Sequence, residues 1–362
     1  MNYAYWFASA VRLSSRKKKI LIEKAGSARD IYFLTEQKLR LLAGEAVTER
    51  VLAARKTETE EAYEKLGARG ISLLTLEDDA YPKRLREIWD PPYALYLRGS
   101  LPDASAKCIS IVGARMCSEY GRAAARILAE RLALHGVCVI SGLALGIDAA
   151  GHRGALAGGG MTCAVLGCGI DVCYPGQNRE LYGQILERGG ILSEYPPGTQ
   201  PLAAYFPQRN RMISGMSDAV VVVEAKERSG SLITADLALE QGRDVYAVPG
   251  RLNDPLSAGC NRLIAQGAGI ISNIEDFLKE LGIFCGEEGE NDKILSAEEN
   301  LSLEKEERLV YSCVDLRPRG PEELLKQTGL SAPALADSLV RLQQKGLITE
   351  IFKNAYIRNK MK

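Results

Sequence analysis

The sequence predicts an α/β fold, a doubly wound and mostly parallel sheet, with a small helical domain ahead of it and a helix-and-hairpin domain behind. Three observations carry this. From residue 108 to 273, seven short apolar runs alternate with stretches of helical spacing. Runs such as AVVVVEA (219–225) are apolar on both faces, which suits strands covered by helices above and below and disfavours a half-solvated antiparallel sheet. Glycines gather where the runs end, as tight strand-to-helix turns require.

Taken in order, residues 1–80 read as the small helical domain. Within 35–70, Leu39, Leu42, Ala46 and Val51 recur at helical spacing. The basic run Arg16, Lys17, Lys18, Lys19 either faces solvent or touches a phosphate backbone. Residues 81–282 hold the sheet. Its strands are expected in CISIVGA (108–114), VCVISGLA (137–144), TCAVLGCGI (162–170), GILSEYP (190–196), AVVVVEA, VYAVPG (245–250) and AGIISN (268–273). Most of the intervening segments are helical, and FPQRNRMISGMS (206–217) is a polar segment.

Residues 283–304 carry one Lys or Arg against seven Asp and Glu, −6, and read as a solvated acidic linker. In 305–362, Pro321 starts a helix, Gly329 ends it and Ser331 caps the next, which Leu335, Leu339 and Leu342 stripe. LITEIFKNAYIR then alternates like a two-strand wing turning at Lys353-Asn354. This winged-helix-like pattern suggests duplex DNA. Asp337 beside Arg341 and Lys345 suits protein docking equally.

Composition excludes several classes. With 362 residues, two or three domains are expected and a disulfide-stapled miniprotein is not. No run of about 18 apolar residues is long enough to cross a bilayer. In MNYAYWFASAVRLSSRKKK the basic cluster follows the apolar stretch, the reverse of a secretory signal, so a cytoplasmic chain without membrane contact is expected. Nine cysteines, an odd number without a CxxC pair, read as reduced and mostly buried thiols. Lys plus Arg and Asp plus Glu both total 46, so no global field points to a polyanion.

In doubly wound sheets ligands sit beyond the carboxyl ends of the strands. There the sequence places Gly113-Ala114-Arg115, then Ser141-Gly142 and Gly146-Ile147-Asp148, then Gly167-Cys168-Gly169, and finally Lys226-Glu227-Arg228-Ser229-Gly230-Ser231 running into a helix. Glycines let backbone come close, and unpaired amides at helix starts attract anions, so phosphate is the expected ligand. No full GxGxxG with its acidic partner and no GxxxxGK[ST] occurs, which disfavours dinucleotides and triphosphates. Phe206, Arg209 and Arg211 add a ring for a base and guanidiniums for phosphates. The expected phosphate or DNA site is thus Gly113, Arg115, Gly142, Gly146, Gly167, Phe206, Arg209, Arg211, Ser229, Gly230 and Ser231. No cofactor and no metal are expected, since the two histidines, His135 and His152, build no metal box. Asp148 and His152, four apart, read as capping or core residues. Glu240, on the helix after SGS, is the strongest candidate for enzyme chemistry, activating water at a ribose.

The sequence resembles the DNA-processing protein A family (DprA, also called Smf). The resemblance lies in YPKRLREIWDPPYALYLRG (81–99), IVGAR (111–115), SGLALGIDAAGHRGAL (141–156), AVLGCGIDVCYPGQN (164–178), SEYPPGTQP (193–201), FPQRNRMISGMSDAVVVVEA (206–225), SGSLITADLALEQGRDVYAVPG (229–250) and GCNRLIAQGA (259–268). It implies an extended Rossmann-like domain that binds single-stranded DNA, forms a homodimer and loads RecA recombinase during natural transformation without chemistry of its own. It also implies a SAM-like helical domain in front and a winged-helix-like one behind. The family's glycine-serine-arginine turn falls on Gly113, Ala114 and Arg115, with alanine removing one hydroxyl. Its FPxRNR segment falls on Phe206, Arg209 and Arg211, and Gln208 makes the pocket less basic than in lysine-bearing relatives. The alternative is a nucleotide phosphoribohydrolase-like enzyme, although SGSLITADLALE displaces the carboxylate of that group's PGGxGTxxE.

Overall fold

Runs of β-branched residues without a polar break are stable only when covered on both faces. In the computed structural model all seven become parallel strands, five of them buried along their whole length. The structure describes residues 1–283, 304–314, 319–352 and 355–358.

Six short helices come first: α1 (Tyr3–Ser9), α2 (Ser15–Ala25), α3 (Ala28–Phe33), α4 (Glu36–Ala43), α5 (Glu45–Ala54) and α6 (Glu60–Ala68). They close around Trp6, Phe7, Leu21, Ile31, Leu39 and Val51, and the indole of Trp6 donates to the Ala54 carbonyl at 2.8 Å. The same cluster takes in Tyr93 and Ala94 from the sheet's edge. The chain enters the sheet through β1 (Ser72–Thr75), α7 (Lys83–Arg86) and β2 (Ala94–Gly99). β1 lies inside the segment expected to be helical; its four residues are too few to show a period. Neither β1 nor β2 is among the seven strands expected.

There follow β3 (Cys108–Val112), α8 (Glu119–Leu134), β4 (Cys138–Ser141), α9 (Ile147–Ala157), β5 (Thr162–Leu166), α10 (Arg179–Arg188), β6 (Gly190–Ser193), α11 (Tyr205–Gly215), β7 (Ala219–Val222), α12 (Gly230–Glu240), β8 (Asp244–Ala247), α13 (Ala258–Ala265), β9 (Gly269–Ile270) and α14 (Ile274–Glu280). The sheet order is β1-β2-β6-β5-β4-β3-β7-β8-β9. From β6 to β9 every pairing is parallel, whereas β2 runs antiparallel to both neighbours. The stretch β5-β4-β3-β7-β8-β9 has the 3-2-1-4-5-6 order of the Rossmann fold, extended by β6, β2 and β1. Strand order reverses between β3 and β7, so the ligand crevice belongs at their carboxyl ends.

His152 on α9 is fully buried, with Nδ1 2.7 Å from the Thr162 hydroxyl. That hydroxyl donates to the Val139 carbonyl, which makes Nδ1 the donor to Thr162. Asp148 instead accepts from backbone amides, so the two residues do not pair. Burial pushes the imidazole down to about 3. The unfolded chain takes up this proton near pH 6.5 and the fold refuses it. Stability is therefore full above 6.5 and is expected to fall by about 1.4 kcal/mol per pH unit as pH drops toward 3. His152→Asn should flatten that dependence, measured as urea midpoints at pH 7 and pH 5.

A second unit spans Cys285–Lys362. Its described residues form α15 (Lys305–Cys313), α16 (Pro321–Thr328), α17 (Ala332–Gln344) and an antiparallel hairpin, β10 (Ile348–Phe352) with β11 (Ala355–Arg358). Val310, Leu324, Leu335, Leu339 and Leu342 make its core. Gly329 ends α16 at φ 67°, and the Ser331 hydroxyl accepts from the Ala334 amide. On α17, Arg341 pairs with Asp337 and Glu304, and Lys345 with Glu307, so these cations are neutralised within the unit. Most of the acidic linker and the turn at Lys353-Asn354 lie outside the described residues. No helix among the described residues is long and apolar enough to cross a membrane.

Candidate functional site

Three turns converge where the strand order reverses. After β3, the Ala114 amide donates to the Glu224 carbonyl beyond β7 at 2.7 Å. A Cβ on Gly113 would stand 2.7 Å from Ile147 Cγ1 and 2.9 Å from that carbonyl, so only glycine lets the turn, β7 and α9 meet. After β7 the chain runs through Lys226 and Arg228 into α12. There the Ser229 hydroxyl caps the helix, accepting from the Ser231 amide at 3.3 Å. After β4, Gly142 and Gly146 frame the entry to α9.

These turns and the first half of α11 enclose a cavity of about 590 Å³. Of the expected residues, Gly113, Arg115, Phe206, Arg209, Ser229, Gly230 and Ser231 line it. Arg115 is exposed and makes no ion pair among the described residues. Its guanidinium carbon lies 5.2 Å from the centre of the Phe206 ring, a cation–π pair, and the Tyr174 ring stands 5.6 Å beyond. One wall thus presents a free charge and two aromatic faces.

Arg209 is different, being 4% exposed. Its Nη1 donates to the carbonyls of Gly142, at 3.0 Å, and Val165. Burial brings its guanidinium down to about 10. Asp148, equally buried, accepts from the amides of Gly142 and Ala144 at 3.1 and 3.4 Å; burial pushes its carboxyl up against the opposing pull of Arg209. A Cβ on Gly142 would lie 2.5 Å from Arg209 Nη2 and 2.8 Å from Asp148 Oδ2. Gly142 is therefore the spacer that lets these two side chains form the floor, and it borders a small adjoining hollow with Arg115 and Phe206. Gly146 and Gly167 do not line the main cavity. A Cβ on Gly167 would meet the Phe206 ring at 2.9 Å. Gly146, at φ +77°, would place one 2.3 Å from the Ala114 carbonyl. Gly146→Ala is expected to cost about 1–3 kcal/mol through strain and displacement of the Arg115 turn, read from the denaturation midpoint.

Arg211 overturns the expectation that both guanidiniums of the segment serve one site. The segment is helix α11, and residues two apart on a helix point about 200° apart. Arg211 lies in a second cavity of about 410 Å³, lined also by Lys18, Tyr96 and Glu194. Its Nη2 donates to both Glu194 oxygens at 2.9 and 2.7 Å, and its Nε to the Asp90 carbonyl at 2.8 Å. The Glu194 carboxylate also accepts from the Ser15 hydroxyl. Lys18 donates to the Ala8 carbonyl at 2.6 Å and is brought down to about 8 by burial.

The start of α8 is where a dinucleotide phosphate sits in the Rossmann arrangement. Here Glu224, 3% exposed, occupies it. The Ser118 amide and hydroxyl both donate to its carboxylate, which rests on Gly121, where a Cβ would come within 2.3 Å of Glu224 Cδ. The positive end of α8 is satisfied internally. At the start of α12 there is no acidic residue in the first turn, and Lys226 and Arg228 stand exposed on the cavity without ion pairs among the described residues. These two cations are missing from the expected site, although the KERSGS turn that carries them was the signal. Glu240 is the last residue of α12, exposed and about 15 Å along the axis from Gly230, so it takes no part in the cavity.

Residues 72–282 match the family model described as DNA recombination-mediator protein A. The chain is 46% identical over 203 residues to the DNA processing protein DprA of Streptococcus pneumoniae, covering 56% of this chain and 72% of that one. It is 41% identical over 237 residues to DprA of Bacillus subtilis, covering 63% and 80%. The X-ray structure of the S. pneumoniae protein is similar with a TM-score of 0.68 at 36% identity, covering 77% of this chain and 98% of that one. A structure of DNA processing protein A from Helicobacter pylori, described for its single-stranded DNA binding mode, gives 0.53 at 33% identity over 58% and 95%.

Proposed function

Since the chain belongs to the DNA recombination-mediator protein A family (DprA/Smf), we propose that it binds single-stranded DNA in the cavity between β3 and β7 and hands the strand to RecA recombinase in the cytoplasm, acting as a homodimer. The observation that carries this reading is Arg115. Its unpaired guanidinium stacks on Phe206 and shares a cavity with the start of α12, whose first turn holds no acidic residue. Phosphates meet Arg115, Lys226, Arg228 and the amide at Gly230; a base meets Phe206 and Tyr174. Arg209 and Asp148 shape the floor. The protein works by holding and presenting a strand, and no bond is made or broken.

The test is equilibrium binding of labelled oligo(dT) of about 20 nucleotides against a duplex of equal length, using the full chain. Preference for the single strand is expected, with a salt slope near −2, from about three phosphate contacts at about 0.7 each. Equal affinity for duplex overturns the reading. Release of base from a nucleoside monophosphate would favour the hydrolase alternative, for which Glu240 is misplaced. Acceleration of RecA assembly on the bound strand tests the hand-over, and light scattering of the purified chain tests the dimer.

A further inference from the structure

The basic run on α2 is divided by the helix itself. At about 100° per residue, Arg16, Lys17 and Lys19 spread across the outer side, while Lys18 points inward and is buried. Arg16 and Lys17 are exposed and Lys19 half-buried. None of the three pairs with a carboxylate among the described residues, unlike Arg40, Arg69, Arg84, Arg122 and Arg131, each of which does. Beneath Arg16 lies Trp89. The guanidinium carbon is 4.7 Å from the ring centre, and the residue is 75% exposed. A large aromatic ring left in water among unpaired cations is an unusual surface for a folded chain to carry.

Its place in the fold gives it direction. The Ser15 hydroxyl donates to Glu194, the residue that follows β6, and Asp90, next to Trp89, is held by Arg211 of α11. The patch therefore sits at the rim where the parallel strands end, the same rim that carries Arg115 after β3. β6 and β3 are three strand spacings apart, about 14 Å. Tyr195, two residues beyond β6, stacks on Tyr205 with ring centres 4.3 Å apart, and the neighbouring Phe206 lies against Gly167 at the end of β5. Cations alone would take any polyanion. An accessible ring selects unpaired bases, whose faces are free to stack, over a duplex whose faces are already used.

We propose that Arg16, Lys17, Lys19 and Trp89 form a second contact station for the strand held at Arg115, so that single-stranded DNA runs along the rim of the sheet onto the helical layer. The inference rests on the proposed function and extends its site to Trp89 and to the cations of α2, which lie outside the matched family region.

The chain supplies its own probe, because it has two tryptophans and the other, Trp6, is fully buried. Oligo(dT) of about 20 nucleotides is expected to quench Trp89 emission, and one of about 4 nucleotides, confined to the Arg115 cavity, to leave it unchanged. Trp89→Ala, and separately the triple variant Arg16→Ala, Lys17→Ala, Lys19→Ala, should weaken binding of the longer strand about 5- to 30-fold and leave the shorter one within about twofold. Trp89→Phe should retain most of the affinity, and unchanged unfolding curves would show the fold intact. If both variants bind the longer strand like the wild type while Arg115→Ala still loses it, the station is overturned, the cavity stands, and the patch falls to a protein partner. If the wild-type chain binds neither strand, both readings fall.

Discussion

Arg115→Ala is expected to weaken oligo(dT) binding about 10- to 100-fold and to reduce the salt slope by about 0.7. The loss follows from what Arg115 contributes. A charge-assisted hydrogen bond to phosphate is worth about 1.5–3 kcal/mol, and the same guanidinium pins the Phe206 ring on which a base would stack. Stability should stay within about 0.5 kcal/mol of wild type, because the side chain is exposed and no ion pair is broken. Arg115→Lys separates the two contributions, keeping the salt slope and losing the planar stacking face. Fluorescence anisotropy at two salt concentrations reads both. Unchanged affinity in Arg115→Ala would remove the cavity from the binding path.

Arg211→Ala is expected to behave in the opposite way. Its guanidinium binds Glu194 through two hydrogen bonds and the Asp90 carbonyl through a third, with the side chain only 12% exposed. Alanine would leave Glu194 shielded from water without its cation, at a cost of about 3 kcal/mol. The urea midpoint should fall accordingly, while the affinity of the folded fraction for oligo(dT) changes less than about threefold. Arg211→Met combined with Glu194→Gln should regain part of the stability, since removing both charges costs less than orphaning one. A large loss of affinity at unchanged stability would return Arg211 to the DNA site.

The contrast between these arginines marks how far the sequence could be read. The parallel strands were legible because runs such as that at 219–225 are apolar throughout, and the crevice because glycine turns sit at the strand ends. β1 and β2 are hidden, β1 because four residues at the sheet's edge show little period and β2 because it lies outside the strand-and-helix alternation that begins at 108. Spacing two apart suggested that Arg209 and Arg211 act together, which holds only for an extended chain. The polar composition of 206–217 concealed α11, whose inner face is held by Met212 and Ile213 at 1% exposure. Lys226 and Arg228 carry no such signal in the sequence, because cations next to a helix start usually face solvent and only the strand order shows that this start opens on the crevice.

Glu224 carries a consequence for life among metabolites. A cell is crowded with soluble nucleotides and dinucleotide coenzymes, and a sheet with this strand order would ordinarily offer their pyrophosphate a berth at α8. With a resident carboxylate already seated there, that berth is closed to their pyrophosphate, and a phosphate entering the crevice meets the start of α12 instead.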